Sequence, residues 1–210
     1  DLNANAPRVM AVLHPVKLTV TNYPEGQSEL LTVENNPLKP EDGTREISFS
    51  RHLWVEADDF MEVPAPKYKR LYPGNEVRLK GAYLGTCTGC VKDENGNVTE
   101  ILCEYDPNSR GGDPADGRKV KGTIHWVSAA HAVDAEVRLY DKLFTEANMN
   151  AIPEGSDYKD YLNPESVVVC KGCKLEESLK DAKPGEKFQF VRTGFFTPDS
   201  KNPGHAPQTQ

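Results

Sequence analysis

Between Lys67 and Lys80 the chain reads KYKRLYPGNEVRLK, a run whose residue types suit binding rather than bond-making. Lys67, Lys69, Arg70, Arg78 and Lys80 stand against a single acid, Glu76, with Tyr68 and Tyr72 set among them. Cations meet phosphates and base edges, and aromatic faces stack on unpaired bases, so this mixture fits nucleic acid. On composition alone, a solvated pair of strands whose lysines protect a sheet edge accounts for the same run.

The rest of the composition narrows the choice. The 210 residues carry a formal net charge of -7, so general attraction to polyanions is not expected. A basic window on an acidic body fits a selective reader: the body repels stray polyanion and the window admits a shaped one. No apolar run approaches the ~18 residues of a membrane span, and DLNANAPR at the start lacks the apolar segment of a signal peptide. A glycine-rich phosphate loop is absent.

Two further constellations could do chemistry. Cys87-x-x-Cys90 and Cys170-x-x-Cys173 have the pair spacing of a four-cysteine zinc site, and both pairs contain a glycine suited to a knuckle turn. The pairs lie far further apart than the ~15–20 residues of a zinc ribbon, so a shared ion would staple two distant segments. Reduced thiols acting as small hydrophobes are the competing reading and the favoured one. His125, Ser128, His131 and Asp134 contain the residue types of a hydrolytic triad, but no nucleophile elbow accompanies them.

These side chains must be positioned by strands. Apolar and polar residues roughly alternate over 10–20, 76–84, 98–106, 120–128, 136–144, 165–170 and 187–196, with turn residues between. Asn95-Gly96 reads as a hairpin turn with two positive-φ positions. Glu56–Glu62 and Tyr158–Leu162 read as one or two helical turns, and 106–118 as a long polar loop near a domain boundary. The pattern predicts a mainly β protein with a few short helices, closed into two barrels because closure removes edges. The boundary is placed near residue 117, giving 1–117 and 118–210, with allowance for a C-terminal strand returning to the first unit.

DLNANAPRVMAV (1–12), NPLKPEDGTR (36–45), the basic run, RKVKGTIHWVSAAHAVDAEVRLYDKLF (118–144) and SLKDAKPGEKFQFVRTGFF (178–196) occur in this order. In that arrangement the chain, from Asp1 to about Ser200, closely resembles the C-terminal anticodon-binding region of bacterial-type glutaminyl-tRNA synthetases. The block from Lys119 to Ala132 is its most specific part. The resemblance implies two stacked ribosomal-protein-like barrels, proximal and distal to a catalytic half that precedes them. It implies a fragment that is inactive alone, with no cofactor of its own. The parent would be a cytoplasmic, monomeric enzyme joining glutamine to tRNA(Gln) with ATP and Mg²⁺. The partners implied are the tRNA(Gln) anticodon stem-loop, with CUG or UUG anticodons, and the catalytic half of the same polypeptide.

The resemblance also assigns residues. Arg78 and Lys80 match positions at the first anticodon base. Arg8, Gln189 and Arg192 match positions holding the middle uracil. Arg70 matches a contact to the third base, a guanine, with Lys67, Lys69 and Asn3 near it; for Lys67 and Lys69 phosphate positioning is favoured. Lys80, Lys67 and Leu38 stand where well-known members have Arg, Gln and Asn. Lys keeps the charge without the planar fork, and Leu38 cannot hydrogen-bond a base. The family usually continues with a strand after Asp199, where this chain has the polar tail KNPGHAPQTQ.

Three rivals remain at this stage. A glutamyl-tRNA synthetase shares the barrel pair, although Gln189-x-x-Arg192 and the 119–132 block favour the glutamine enzyme. A ribosomal RNA-binding barrel protein would have a generally basic surface. A zinc-stapled interaction module would hold stoichiometric metal.

Overall fold

The computed structural model describes residues 1–114 and 116–201. The polar tail that stands where the family usually continues with a strand lies, over 202–210, outside the described residues. Strand accounts for 42% of the described residues and helix for 12%, so strand pairing and sheet faces carry the architecture.

A short helix, α1 (Leu2–Asn5), opens the chain. The alternating segment 10–20 does not run as one strand. It divides into β2 (Ala11–Val12) and β3 (Pro15–Val20), after β1 (Arg8–Val9). The break falls where the Leu13 and His14 N–H groups turn to the Glu56 carboxylate, at 2.7 and 3.0 Å. A hairpin follows, β4 (Ser28–Glu34) with β5 (Thr44–Ser50), and then β6 (His52–Glu56), β7 (Glu76–Leu79), β8 (Leu84–Lys92) and β9 (Val98–Asp106). The β8–β9 connection differs from the expected two-residue turn. Gly96 alone has positive φ there, while the Asp93 carboxylate accepts from the Asn95 and Asn97 N–H groups and closes a longer loop.

The segment 120–128 is again two strands, β10 (Gly122–Ile124) and β11 (Val127–Ser128). Both follow residue 117, yet β10 pairs with β7 and β11 with β6, in the sheet built from the first part of the chain. That sheet has seven strands in the order β10-β7-β8-β9-β3-β6-β11. Laid flat, its edges would stand roughly 29 Å apart, from ~4.8 Å per strand spacing. Only His125 and Trp126 separate the two edge strands, and three Cα–Cα steps reach at most about 11 Å. The sheet is therefore curled round on itself at this corner.

The remaining strands are β12 (Val133–Tyr140), β13 (Val167–Leu175), β14 (Phe188–Phe190) and β15 (Gly194–Phe196). They form two three-stranded sheets, β12-β13-β2 and β1-β14-β15, each completed by a strand from the first twelve residues. The helical turns expected near 56–62 and 158–162 are single 3-10 turns, Ala57–Asp59 and Tyr158–Tyr161.

Two apolar clusters result. The larger fills the curled sheet with Leu18, Phe49, Leu53, Leu71, Leu79, Ile101 and Trp126. Each fully buried leucine there contributes about 1.5–3 kcal/mol. The smaller packs Val9, Ala11, Leu13, Val137, Cys170, Cys173 and Phe190. A bidentate ion pair joins the two regions: Arg45 Nε and Nη2 donate to Glu176 Oε1 and Oε2 at 2.6 and 2.9 Å. Glu176 also accepts the Met10 N–H at 2.8 Å, and Glu177 accepts the Ser48 N–H and hydroxyl.

Candidate nucleic-acid interface

The basic run is mostly not strand. Residues 60–75 form a loop, and only Glu76–Leu79 belong to β7. The loop is pinned at its base, where the Leu71 N–H donates to the Asp59 carbonyl at 2.9 Å and the Met61 N–H to the Leu71 carbonyl at 3.0 Å. Lys67 sits at its tip in the left-handed region, φ 68°. One glycine permits the packing beneath it: a Cβ on Gly122 of β10 would lie 2.0 Å from the Lys69 carbonyl oxygen.

The loop walls an open cleft of about 660 Å³. Phe60 and Met61 supply its apolar side, and Lys67, Lys69 and Arg70 its cationic side. Tyr68 also lines it, with its hydroxyl donating to the Asp58 carbonyl at 3.1 Å. Burial, and then the nearby Asp59 charge, push the Tyr68 phenol up to about 12, so it stays a neutral donor. The Tyr68 and Tyr72 rings are 6.5 Å apart and tilted by 49° rather than stacked on each other.

Arg192 reaches the same region from the turn between β14 and β15. It too has positive φ, 68°. Its Nη1 and Nη2 donate to Asp59 Oδ2 and Oδ1 at 2.8 and 2.7 Å. Arg70 Nη1 reaches the same Oδ1 at 3.1 Å. Asp59 is fully buried, while the two arginine side chains are 29% and 44% exposed, so the acid anchors and the guanidiniums present. The Asp59 hydrogen bonds outweigh burial and raise the Arg192 pKa, leaving the guanidinium permanently charged.

Next to this lies a second donor group. Parallel pairing of β1 and β14 sets Arg8 opposite Gln189, and Arg8 Nε donates to Gln189 Oε1 at 2.8 Å. With its oxygen held, Gln189 retains its NH₂ as a donor. Arg8 Nη2 also reaches the Asn3 carbonyl on α1, at 3.5 Å. Arg45 Nη2 donates to the Arg8 carbonyl at 2.8 Å, which ties this corner to Glu176. Lys80, just past β7, is half-buried there, its carbonyl accepting the Trp126 indole N–H at 3.1 Å. Burial, then the Arg8 and Arg45 charges, lower its pKa. No ion pair to Lys80 occurs among the described residues, and the Glu34 charge offsets Arg8 and Arg45 only in part, so an acceptor brought here meets a net excess of positive charge.

Arg78 is placed differently. It shares the outward face of β7 but turns to the loop at 106–118, bonding the Gly112 carbonyl and, at 3.2 Å, Asp113. Leu38 is exposed beside Asn36, with its N–H on the Asn36 side-chain oxygen at 3.0 Å. The structure thus gathers Asn3, Arg8, Lys80 and Gln189 in one group and Arg70 with Arg192 in another. Lys67 and Lys69 line the cleft, and Arg78 stands latched to a loop.

Sequence reasoning missed Asp59, Arg45 and Glu176. Arg45 lay inside a recognised block, but Asp59 is one acid of EADDFME and carries no mark of its burial.

The cysteine staple does not form. Cys87 faces Cys103 across β8 and β9 in the larger sheet, while Cys170 and Cys173 lie on β13 among the smaller cluster. All five thiols are free, and no group of three or more His, Cys, Asp or Glu able to hold a metal occurs among the described residues. Both pairs sit on bulged strands instead of knuckles: registers shift at Cys87/Gly89 and Ala135/Val137. No triad assembles either. Ser128 bonds Ser50 and His131, but Asp134 pairs with Lys174. No helix among the described residues is long and apolar enough to cross a membrane.

Comparison with known proteins agrees with this geometry. The family described as tRNA synthetases class I (E and Q), anti-codon binding domain, matches residues 6–106, and a second family of the same description matches 123–199. The glutamine–tRNA ligase of Clostridium perfringens is 52% identical over 199 residues, covering 95% of this chain and 36% of the relative. That of Stutzerimonas stutzeri is 51% identical over 202 residues, again covering 36% of the relative. The chain therefore spans about a third of the length of these relatives. On these matches and the strand architecture, the chain belongs to the family of anticodon-binding domains of class I tRNA synthetases (E and Q).

Proposed function

We propose that this chain binds tRNA(Gln) and discriminates CUG and UUG anticodons for a parent protein that joins glutamine to tRNA using ATP and Mg²⁺. The observation that carries the reading is the Arg8–Gln189 pair beside Lys80: two donor side chains and an unneutralised cation converge on one corner. A uracil edge offers carbonyl acceptors, which the Gln189 NH₂ and the outer Arg8 nitrogens match as donors. Arg192, held by Asp59 and set 3.5 Å from His125 Nδ1, adds a partly exposed guanidinium to the same base, and Arg70 faces a guanine at the third position. Lys67 and Lys69 neutralise phosphates and set register. Arg78 and Lys80 meet the first base, and Asn3 supports the third. Each good bidentate contact adds about 1–3 kcal/mol of discrimination.

The division into proximal and distal barrels, the cytoplasmic setting and the monomeric state belong to the same proposal. ATP and Mg²⁺ act in the parent's reaction. No described group of acids or histidines here is suited to a metal, and no residue of this chain is assigned to either.

Binding of anticodon stem-loops tests the reading. Wild-type protein is expected to prefer CUG over a version with the middle U replaced, at moderate salt. Arg192→Ala is expected to remove that preference selectively. Equal, steeply salt-dependent binding of both stem-loops would reduce the surface to a phosphate binder.

A further inference from the structure

We infer that Asp59 couples recognition at two bases: a single buried carboxylate positions both Arg192 and Arg70, so the middle and third anticodon bases are read as one unit. This rests on the reading above. The geometry is specific. Oδ1 of Asp59 accepts from Arg192 Nη2 at 2.7 Å and forms an ion pair with Arg70 Nη1 at 3.1 Å, while Oδ2 takes Arg192 Nη1 at 2.8 Å; Arg70 Nη1 donates to the neighbouring Asp58 carbonyl at 3.4 Å. The carboxylate is inaccessible to solvent, so water cannot substitute for a lost guanidinium. Asp59 also acts through its main chain, because its carbonyl accepts the Leu71 N–H and thereby fixes the loop that carries Arg70.

Two forks on one oxygen cannot move independently. A base that fixes Arg192 fixes Asp59 Oδ1 with it, and the carboxylate so placed holds Arg70 toward its own base; the converse holds for Arg70. The pair is a two-position element biased by both ligands, which is the requirement for energetic coupling. The two arginines arrive from opposite parts of the chain, one from the loop after β6 and one from the β14–β15 turn. Without the shared acid, neither element would constrain the other.

A stem-loop cycle measures this in the intact protein. Affinities are taken for CUG, the middle-base variant, the third-base variant and the double variant. In wild type the double change is expected to cost about fivefold less than the product of the single penalties. Asp59→Asn is expected to lose preference at both positions while keeping the salt dependence of binding, with folded fraction followed by circular dichroism. Should that variant fail to fold, Arg192→Lys at its partly exposed position carries the test: third-base preference is expected to fall along with middle-base preference. Multiplicative penalties in wild type, or unchanged third-base preference in Arg192→Lys, would overturn the coupling and leave anticodon reading intact. Absence of any base preference in wild type would overturn both.

Discussion

Arg118 and Arg45 look alike as bonding lists and differ in what surrounds them. Arg118 meets three carboxylates, Glu76 at 2.7 Å, Asp106 at 3.0 Å and Asp116 at 2.9 Å, on side chains all partly open to water. Arg45 meets one, Glu176, but that acid is 3% exposed and Arg45 itself 15%. Exposed pairs exchange one set of hydrated contacts for another and are screened by salt, whereas a buried acid stripped of its partner has nowhere to turn. The number of partners is therefore a poor guide to anchoring, and burial a good one. By that measure the residues that hold the Arg8–Gln189 corner and the Arg70–Arg192 pair in place are Arg45 and Asp59, not the arginine with most carboxylate partners.

Arg45→Ala is the severest test. It leaves Glu176 charged in a dry site and cuts the link to the Arg8 carbonyl, so stability should fall by about 3–5 kcal/mol. A urea midpoint shifted only as far as that of a surface substitution would contradict the ranking by burial.

A steric counterpart comes next. Gly122→Ala adds no charge but drives a methyl against the Lys69 carbonyl. Overpacking of this kind costs about 1–3 kcal/mol, and relief requires the 62–70 loop to shift. Affinity for any stem-loop should drop along with stability, since Lys67, Lys69 and Arg70 move together. Unchanged binding would mean that the loop is not fixed by β10.

Glu56 sharpens the comparison through pH. Burial pushes its carboxyl up, but His125 and the Leu13 and His14 N–H groups outweigh burial and hold it below the usual carboxylate range. A depressed carboxyl pKa stabilises the fold above the unfolded-state value of about 4.3. That contribution is lost as pH falls through the lower, folded-state value. Glu56→Gln should thus be less stable than wild type at neutral pH, with the gap closing in acid. A gap independent of pH would assign the loss to packing instead of charge.

These residues also mark what was legible beforehand. Alternation located most strands, and the basic run was visible because its composition contrasts with an acidic chain. Strand breaks were not visible. Leu13–His14 and His125–Trp126 interrupt patterns that read as continuous, since their causes are Glu56 and the opposite edge of a curled sheet. The pairing of β10 and β11 with β7 and β6 is likewise a long-range event that period-two patterns cannot encode. Arg8, Gln189 and Arg192 were named through resemblance, but their partners depend on parallel pairing and on a buried acid. Composition presents Asp59 as one more surface carboxylate. The thiol pairs mislead for a related reason: CxxC spacing is local, and whether two pairs meet is decided by which sheets carry them.

The smallest stability effect is expected at Arg118, and it separates anchoring from positioning. Arg118→Ala removes contacts that hold the ends of the 106–118 loop, so the melting temperature should shift less than for any variant above. The shift should vanish at about 1 M salt, where screening acts within ~3 Å. The same loop supplies Gly112 and Asp113 to Arg78. Loosening it releases Arg78 from a competing acceptor, which on the proposed assignment frees its guanidinium for the first base. Preference at the first anticodon position should therefore change more, in proportion, than stability does, with middle-base preference untouched. An equal change at both positions would show that the loop acts on the whole corner, and the exposed cluster would then belong with the buried anchors after all.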